Sequence, residues 1–280
     1  MTIKIKLCGL NLSSGIMNAS GPLCTSLNEL KRLGKSSSGA IVLKSATIKP
    51  RLGNPEPKIF EFEKSLIQSM GLPNPGYKKF LTYIKELKQY NKPIIASVAG
   101  FSIDEYLEMC IAYENAGVDM IELNLSCPNV NKKLLCYDPE TTELLIEKLK
   151  EKINIPISVK LGPYVDMYLM KEMSKALKKA DCLVLINSIP GATRIDIESG
   201  KPKIGANYGG LSGESIKAIA LGNVKNFYEL TKKDIIGAGG IFTGNDVLEF
   251  MKAGAKAVQV GTAYLWEGPK IFDRLNKELW

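Results

Sequence analysis

A thiol stands just past the end of an apolar run in Glu122-Leu123-Asn124-Leu125-Ser126-Cys127-Pro128-Asn129. Pro128 has no amide proton for a strand ladder, so the strand stops there and Cys127 falls in the turn. A lone cysteine is core filler more often than catalyst. In a loop, its thiolate can act as base or nucleophile. The chain contains no histidine, so proton transfer near neutral pH falls to Cys, Lys, Asp, Glu or Tyr. Two lysines end apolar runs, Lys44 in Val42-Leu43-Lys44-Ser45 and Lys160 in Ser158-Val159-Lys160-Leu161-Gly162. Burying an ammonium without a partner is costly. Two readings follow: an internal salt bridge, or a hold on anionic or electron-rich ligand atoms.

Glycines carry a second signal. Gly237-Ala238-Gly239-Gly240 precedes Thr243-Gly244-Asn245-Asp246, and Val260-Gly261-Thr262 precedes another helical stretch. Small residues before a helix start expose backbone N–H groups, which bind phosphate directly and with the help of the positive helix end. Tight strand-to-helix turns alone also favour glycine, and the recurrence of the pattern in two adjacent late units favours phosphate. Gly209-Gly210-Leu211-Ser212-Gly213 offers a third such loop. Other small or polar residues recur where apolar runs end: Asn18, Ala19 and Ser20, then Ser45, Asn124, Asn187 and Ser188. Singly, such residues are usually turn formers; together they trace one rim.

The elements that must carry this rim alternate. Apolar runs at 15–20, 40–47, 94–100, 119–125, 157–161, 182–187, 235–240 and 257–262 read as strands. Most are apolar on both faces, as parallel strands covered on both sides must be. Helical patterns follow at about 26–33, 102–117, 140–152, 167–180, 214–230, 243–254 and 269–280. Ser102 is placed to cap its helix, with Glu105 closing a capping box and Gly117 ending it; Thr243 caps another. The second strand alone lacks an evident helix and leads into a Pro/Gly-rich connection from 48 to 92, read as a lid or subunit contact. Eight such units predict an α/β fold, a (β/α)8 barrel in a single domain over residues 1–280, with the site at the C-terminal ends of the strands. An open nucleotide-binding sheet would place its glycine fingerprint after the first strand.

With 280 residues, 45% hydrophobic and 24% charged, the chain can bury a large core and is not disordered. The net charge of +8 is scattered, which argues for solvated helix faces rather than nucleic-acid binding and is compatible with an anionic small substrate. The six cysteines form no C-x-x-C pair and no metal set, and free thiols suggest a reducing, cytoplasmic setting. Cys110 and Cys182 read as core. No signal peptide and no membrane-spanning run is present.

Met17-Asn18-Ala19-Ser20-Gly21-Pro22, Leu43-Lys44-Ser45-Ala46-Thr47, Ser69-Met70-Gly71-Leu72-Pro73-Asn74, the Cys127 segment, Val159-Lys160-Leu161-Gly162-Pro163-Tyr164, Ile186-Asn187-Ser188, Gly209–Gly213, Gly237–Gly244 and Val260-Gly261-Thr262-Ala263 occur in this order. Together they resemble the soluble, class 1 dihydroorotate dehydrogenase family along nearly the whole chain. The resemblance implies an FMN-containing barrel that oxidises dihydroorotate to orotate in pyrimidine synthesis. It implies that Cys127 removes the C5 proton while C6 passes hydride to flavin N5. Substrate contacts fall on Lys44, Gln68, Ser69, Met70, Gly71, Leu72, Asn124, Asn187 and Ser188. Cofactor contacts fall on Ala19, Ser20, Gly21, Lys44, Ser45, Asn124, Lys160, Ile186, Gly213, Gly239, Gly240, Gly261 and Thr262. Lys160 is implied at the flavin N1–O2 edge, where a cation stabilises the reduced ring. No metal site is implied.

The departures concern substrate and acceptor. Gln68 stands where the family has asparagine, which leaves a related flavin barrel acting on another dihydropyrimidine as a second reading. A catalytically inactive FMN-binding subunit is a third, against which Cys127, Lys44 and Lys160 together argue. Asn131–Cys136 replaces the family's usual loop after the cysteine. Ser69–Asn74, Asn187-Ser188 and Ala220–Phe227 look like the fumarate-using homodimers. Ile195–Pro202 and Gly209–Gly213 look like the NAD-linked form that works with an iron–sulfur flavoprotein subunit. The membrane-bound quinone class differs in its N-terminal helical extension and serine base.

Overall fold

The computed structural model describes residues 5–126 and 134–279. Cys127 and residues 128–133 lie outside the described residues.

The chain starts with an antiparallel hairpin, β1 (Ile5–Leu7) and β2 (Leu10–Leu12). Its two-residue turn, Cys8-Gly9, has φ of 45° and 88°, the left-handed geometry that matches the twist of a tight hairpin. Leu7 and Leu12 are buried in the cluster that also holds Met17, Val42, Met120 and Val184, so the hairpin seals one end of the structure. Then come β3 (Ile16–Asn18), α1 (Leu27–Gly34) and β4 (Ile41–Val42). Two strands that sequence patterning did not resolve, β5 (Ile59–Phe62) and β6 (Ser65–Gln68), precede α2 (Tyr77–Leu87). The second unit therefore does have its helix, with Phe80, Ile84 and Leu87 buried. The sequence continues with β7 (Ile94–Val98), α3 (Ile103–Ala116), β8 (Met120–Asn124), α4 (Pro139–Lys150), β9 (Ile157–Lys160), α5 (Met167–Ala176) and β10 (Cys182–Leu185). After β11 (Ile189–Ala192), β12 (Gly209–Gly213), α6 (Lys217–Thr231), β13 (Asp234–Ala238), α7 (Gly244–Ala253) and β14 (Ala257–Val260), the final helix is split into α8 (Thr262–Glu267) and α9 (Lys270–Glu278).

Eight of these strands form one parallel sheet in the order β3-β14-β13-β10-β9-β8-β7-β4, the circular order of a (β/α)8 barrel. The seam between β3 and β4 is joined partly by a side chain. Asn18 Nδ2 donates to the Val42 carbonyl at 2.7 Å and Asn18 Oδ1 accepts from the Val42 amide at 2.9 Å. A backbone bond from Gly39 N to Ile16 O at 2.8 Å adds to it. The amide of Asn18 thus copies a peptide group and closes the cylinder.

Alternation assigns the two faces of the strands. On β8, Ile121 and Leu123 face the helices in the larger core, while Met120 packs with the barrel interior. Glu122 and Asn124 share the inward face with Met120, so that face turns from apolar to polar as it rises. The helix caps act largely as expected. Thr243 and Asp246 form a reciprocal capping box on α7, and Gly117 ends α3 with φ 84°. Ser102 accepts from Glu105 N, but the Glu105 carboxylate takes the Phe101 amide at 2.8 Å rather than that of Ser102, so the expected capping box is shifted by one residue.

A second, antiparallel sheet lies over the mouth, with strand order β11-β12-β6-β5. Gly209–Gly213 is one of its strands, β12, paired with β6 through Gly210↔Gln68 and Gly213↔Ser65. It is not the free loop that the sequence suggested.

Candidate active site

A cavity of about 790 Å³ opens between the C-terminal ends of the barrel strands and the covering sheet. That is toward the upper end of the range for small-molecule sites, roughly 300–1,000 Å³. Ala19, Ser20 and Gly21 enter it after β3, and Lys44 and Ser45 after β4. Asn124, Lys160, Ile186, Asn187 and Ser188 line one flank; Gly213, Gly239, Gly240, Gly261 and Thr262 line another; Gln68, Met70, Gly71 and Leu72 come from the cover. Ser69 is the exception among the described candidates. It does not line the cavity: one residue past the end of β6, its hydroxyl instead accepts from Asn54 Nδ2 at 2.8 Å. Cys127 lies outside the described residues, whereas Ser126, just before it, lines the wall.

A chain of amides and hydroxyls runs along one flank. Asn124 Nδ2 donates to Ser45 Oγ at 3.1 Å, and Asn187 Nδ2 approaches Asn124 Oδ1 at 3.5 Å. Asn187 Oδ1 accepts from Ser188 N at 2.8 Å, and Gln68 Nε2 donates to Ser188 Oγ at 3.2 Å. The other end of the Gln68 amide accepts from Met70 N at 3.3 Å. Gln68 therefore clips the covering sheet to the barrel rim. Gly71 has φ 69°, and a Cβ there would lie 2.3 Å from Asn54 Oδ1, so this turn of the cover requires glycine.

The opposite flank is a cradle of small residues. A Cβ on Gly261 would meet only Ala19 Cβ, at 3.7 Å, and one on Gly21 would meet nothing within 4 Å. Gly239 and Gly240 have φ of 124° and 75°, which turns the chain back along the cavity. The expectation that the start of α7 offers its amides to a phosphate is corrected. Phe242 N and Thr243 N both donate to Asp246 Oδ2, and Gly244 N donates to Glu278 Oε2. With those donors satisfied, an anion on this side meets the backbone of the preceding glycines rather than the helix end.

The two lysines differ. Lys160 is 5% exposed and its Nζ donates to Gln259 Oε1 at 2.9 Å. Lys44 is 7% exposed, and its ammonium has no hydrogen-bond or ionic partner among the described residues. Burial holds the Lys44 ammonium below the usual lysine range; the nearby Cys24 thiol opposes this and the Lys160 charge adds to it. An uncompensated cation at that depth calls for an electron-rich or anionic ligand. Cys136 also lines the cavity, but burial pushes its thiol up to about 11, so it is protonated at neutral pH.

Sequence reasoning missed Asn54, Arg51, Phe101, Tyr137 and Gln259 on the cavity wall, and Glu122 beneath it. Arg51 and Asn54 sit in a connection without periodicity. Glu122 and Gln259 had a readable signal: each is a lone polar residue inside an apolar strand.

A closed parallel barrel with a rim cavity, a glycine-lined flank on one side and a cationic, amide-lined flank on the other defines a class: barrel enzymes with a small-molecule site at the C-terminal ends of their strands. A family model described as dihydroorotate dehydrogenase matches residues 2–280. Dihydroorotate dehydrogenase (fumarate) of Trypanosoma brucei brucei is 39% identical, covering 100% of this chain and 93% of that protein. The catalytic subunit of dihydroorotate dehydrogenase B (NAD(+)) of Thermoplasma volcanium is 40% identical, covering 99% and 92%. Dihydroorotate dehydrogenase A (fumarate) of Lactococcus lactis subsp. lactis is 40% identical, covering 99% and 93%. The chain belongs to the dihydroorotate dehydrogenase family and is an oxidoreductase of that type, in a family that depends on flavin. Among the described residues no helix is long and apolar enough to cross a membrane, and no cluster of metal-ligating side chains is present.

Proposed function

We propose that this chain oxidises dihydroorotate to orotate with FMN held in the rim cavity, as a step of pyrimidine synthesis. The observation that carries the reading is Lys44, a buried ammonium with no hydrogen-bond or ionic partner among the described residues, on the wall of the cavity. The residues fit the cofactor. Gly261 leaves room for its phosphate and Gly239, Gly240 and Thr262 offer backbone to it, while Lys160 and Lys44 supply positive charge to its ring. When bound, FMN supplies the acceptor for the hydride that leaves substrate C6.

The chain's own residues do the rest. Asn124, Asn187 and Ser188 hold the polar edges of the substrate ring, and Lys44 offsets its carboxylate. The covering turn of Met70, Gly71 and Leu72 shuts water out. The Cys127 thiolate takes the C5 proton, the role the family resemblance gives to that position.

The protein purified with FMN and mixed anaerobically with dihydroorotate should lose its yellow colour. Cys127→Ala should keep its FMN and be reduced on the order of 10²–10⁴ times more slowly. An unchanged rate would move the proton to another group. FMN-loaded protein bleached by dihydrouracil and not by dihydroorotate would replace the substrate, and the placement of Gln68 against Ser188 would then explain the switch. Reoxidation by fumarate alone supports a homodimeric fumarate-using form. Reoxidation by NAD only after an iron–sulfur flavoprotein subunit is added supports the heteromeric one.

A further inference from the structure

Beneath the cavity floor lies a carboxylate that the reaction above does not use. Glu122 is 0% exposed on the inward face of β8. Its Oε1 accepts from Ser20 Oγ at 2.8 Å, and its Oε2 accepts from Gln259 Nε2 at 2.5 Å. The other end of the Gln259 amide accepts from Lys160 Nζ at 2.9 Å. In the strand order β3-β14-β13-β10-β9-β8-β7-β4, β8 and β14 stand four places apart in a ring of eight, so the Glu122–Gln259 bond spans the barrel. Ser20, in turn, lies 3.5 Å from Ser45 Oγ, which binds Asn124. One hydrogen-bonded plug thus connects a buried anion to both flanks of the site.

The direction of each bond matters. A carboxylate can only accept, so Glu122 fixes the Gln259 amide with its nitrogen toward Glu122 and its oxygen toward Lys160. That oxygen is what holds the ammonium at the floor. Among the described residues, Lys44, Lys160 and Glu122 are the buried charged side chains at this floor, two positive and one negative. The floor therefore carries about one uncompensated positive charge when empty, and the charge is matched when a singly anionic ring lies on it.

We propose that Glu122 is a positioning residue: through Gln259 it holds the Lys160 ammonium against the ligand ring and sets how strongly the site prefers reduced, anionic flavin over oxidised flavin. This rests on the FMN reading above. Substituting Glu122→Gln tests it with little change of shape. The new amide can accept from Gln259 and donate to Ser20 Oγ, so the plug survives while its charge is lost. The ratio of affinities for reduced over oxidised FMN should rise about tenfold, a positive shift of about 30 mV in the two-electron midpoint potential, read by equilibrium reduction with a reference dye. Gln259→Met should act in the opposite sense. It removes the intervening amide, so the Lys160 ammonium swings toward Glu122 and away from the ring, and the preference for reduced FMN falls. This second variant carries the test if Glu122→Gln does not fold. A purely structural role would weaken both redox forms together and leave the ratio unchanged. A ratio within twofold of wild type, or a shift of the same sign in both variants, overturns the proposal and leaves the flavin reading intact. Failure of the unmodified protein to bind FMN at all overturns that reading instead.

Discussion

Lys44 and Lys160 are both buried lysines at the ends of strands, yet only Lys160 has an acceptor among the described residues. Burial disfavours a charged amine, so the Lys44 ammonium loses its proton at lower pH than a solvated lysine. The sign for ligand binding follows: an anion held by Lys44 binds tightly while the amine is protonated and less tightly as pH rises through the lowered value. Orotate affinity, titrated by the flavin spectrum, should therefore fall at a lower pH than that at which ordinary lysines titrate. Lys44→Met should bind orotate at least about tenfold more weakly at neutral pH, the scale of a charge-assisted hydrogen bond, and lose that pH dependence. A variant that keeps the wild-type profile would remove Lys44 from the substrate site.

Among the elements, the seam between β3 and β4 is the weakest join of the barrel, because β4 is two residues long and Asn18 replaces part of the ladder. Asn18→Ala would leave the Val42 amide and carbonyl buried without partners. The cost should be about 2–4 kcal/mol in denaturant unfolding, from two orphaned backbone groups. Because the rim residues Ala19, Ser20 and Lys44 follow these two strands directly, the same substitution should weaken FMN retention. Loss of less than about 0.5 kcal/mol, the noise of surface changes, would show that the seam closes without the side chain. The covering sheet makes a second join: Thr262 Oγ1 donates to Ser212 Oγ at 3.2 Å, which ties β12 to the glycine cradle beneath it.

At the scale of the whole molecule, the floor of the barrel is built for a guest. Its charge is uncompensated and its glycine cradle leaves open space, so filling the cavity should stabilise the fold as well as enable chemistry. A ligand that binds only the folded state adds about 2.7 kcal/mol when present at 100 times its dissociation constant. For a chain of this size that is a rise of about 5 °C in Tm. Calorimetry of protein stripped of flavin, with and without added FMN, reads this directly; an unmoved Tm at saturating FMN would mean the cavity does not take it.

Most of the barrel was legible because parallel strands covered on both faces must be apolar throughout, and that run is visible locally. The rim followed from the same logic: where a run such as Met120–Asn124 ends in an amide, that amide stands at the mouth. The family resemblance then attached roles to those positions. The second helix and the covering sheet were not legible. β5 and β6 are short, β5 is only half buried, and their partner β12 comes from more than a hundred residues away, so no local period marks them. Ser69 was grouped with its neighbours by motif, whereas its hydroxyl turns to Asn54 instead of the cavity. The Glu122–Gln259 bond joins residues 137 apart. Each residue alone reads as a polar exception in an apolar strand. Only closure of the barrel brings them across its axis, because a hydrogen bond needs a partner at about 3 Å and sequence distance carries no information about that.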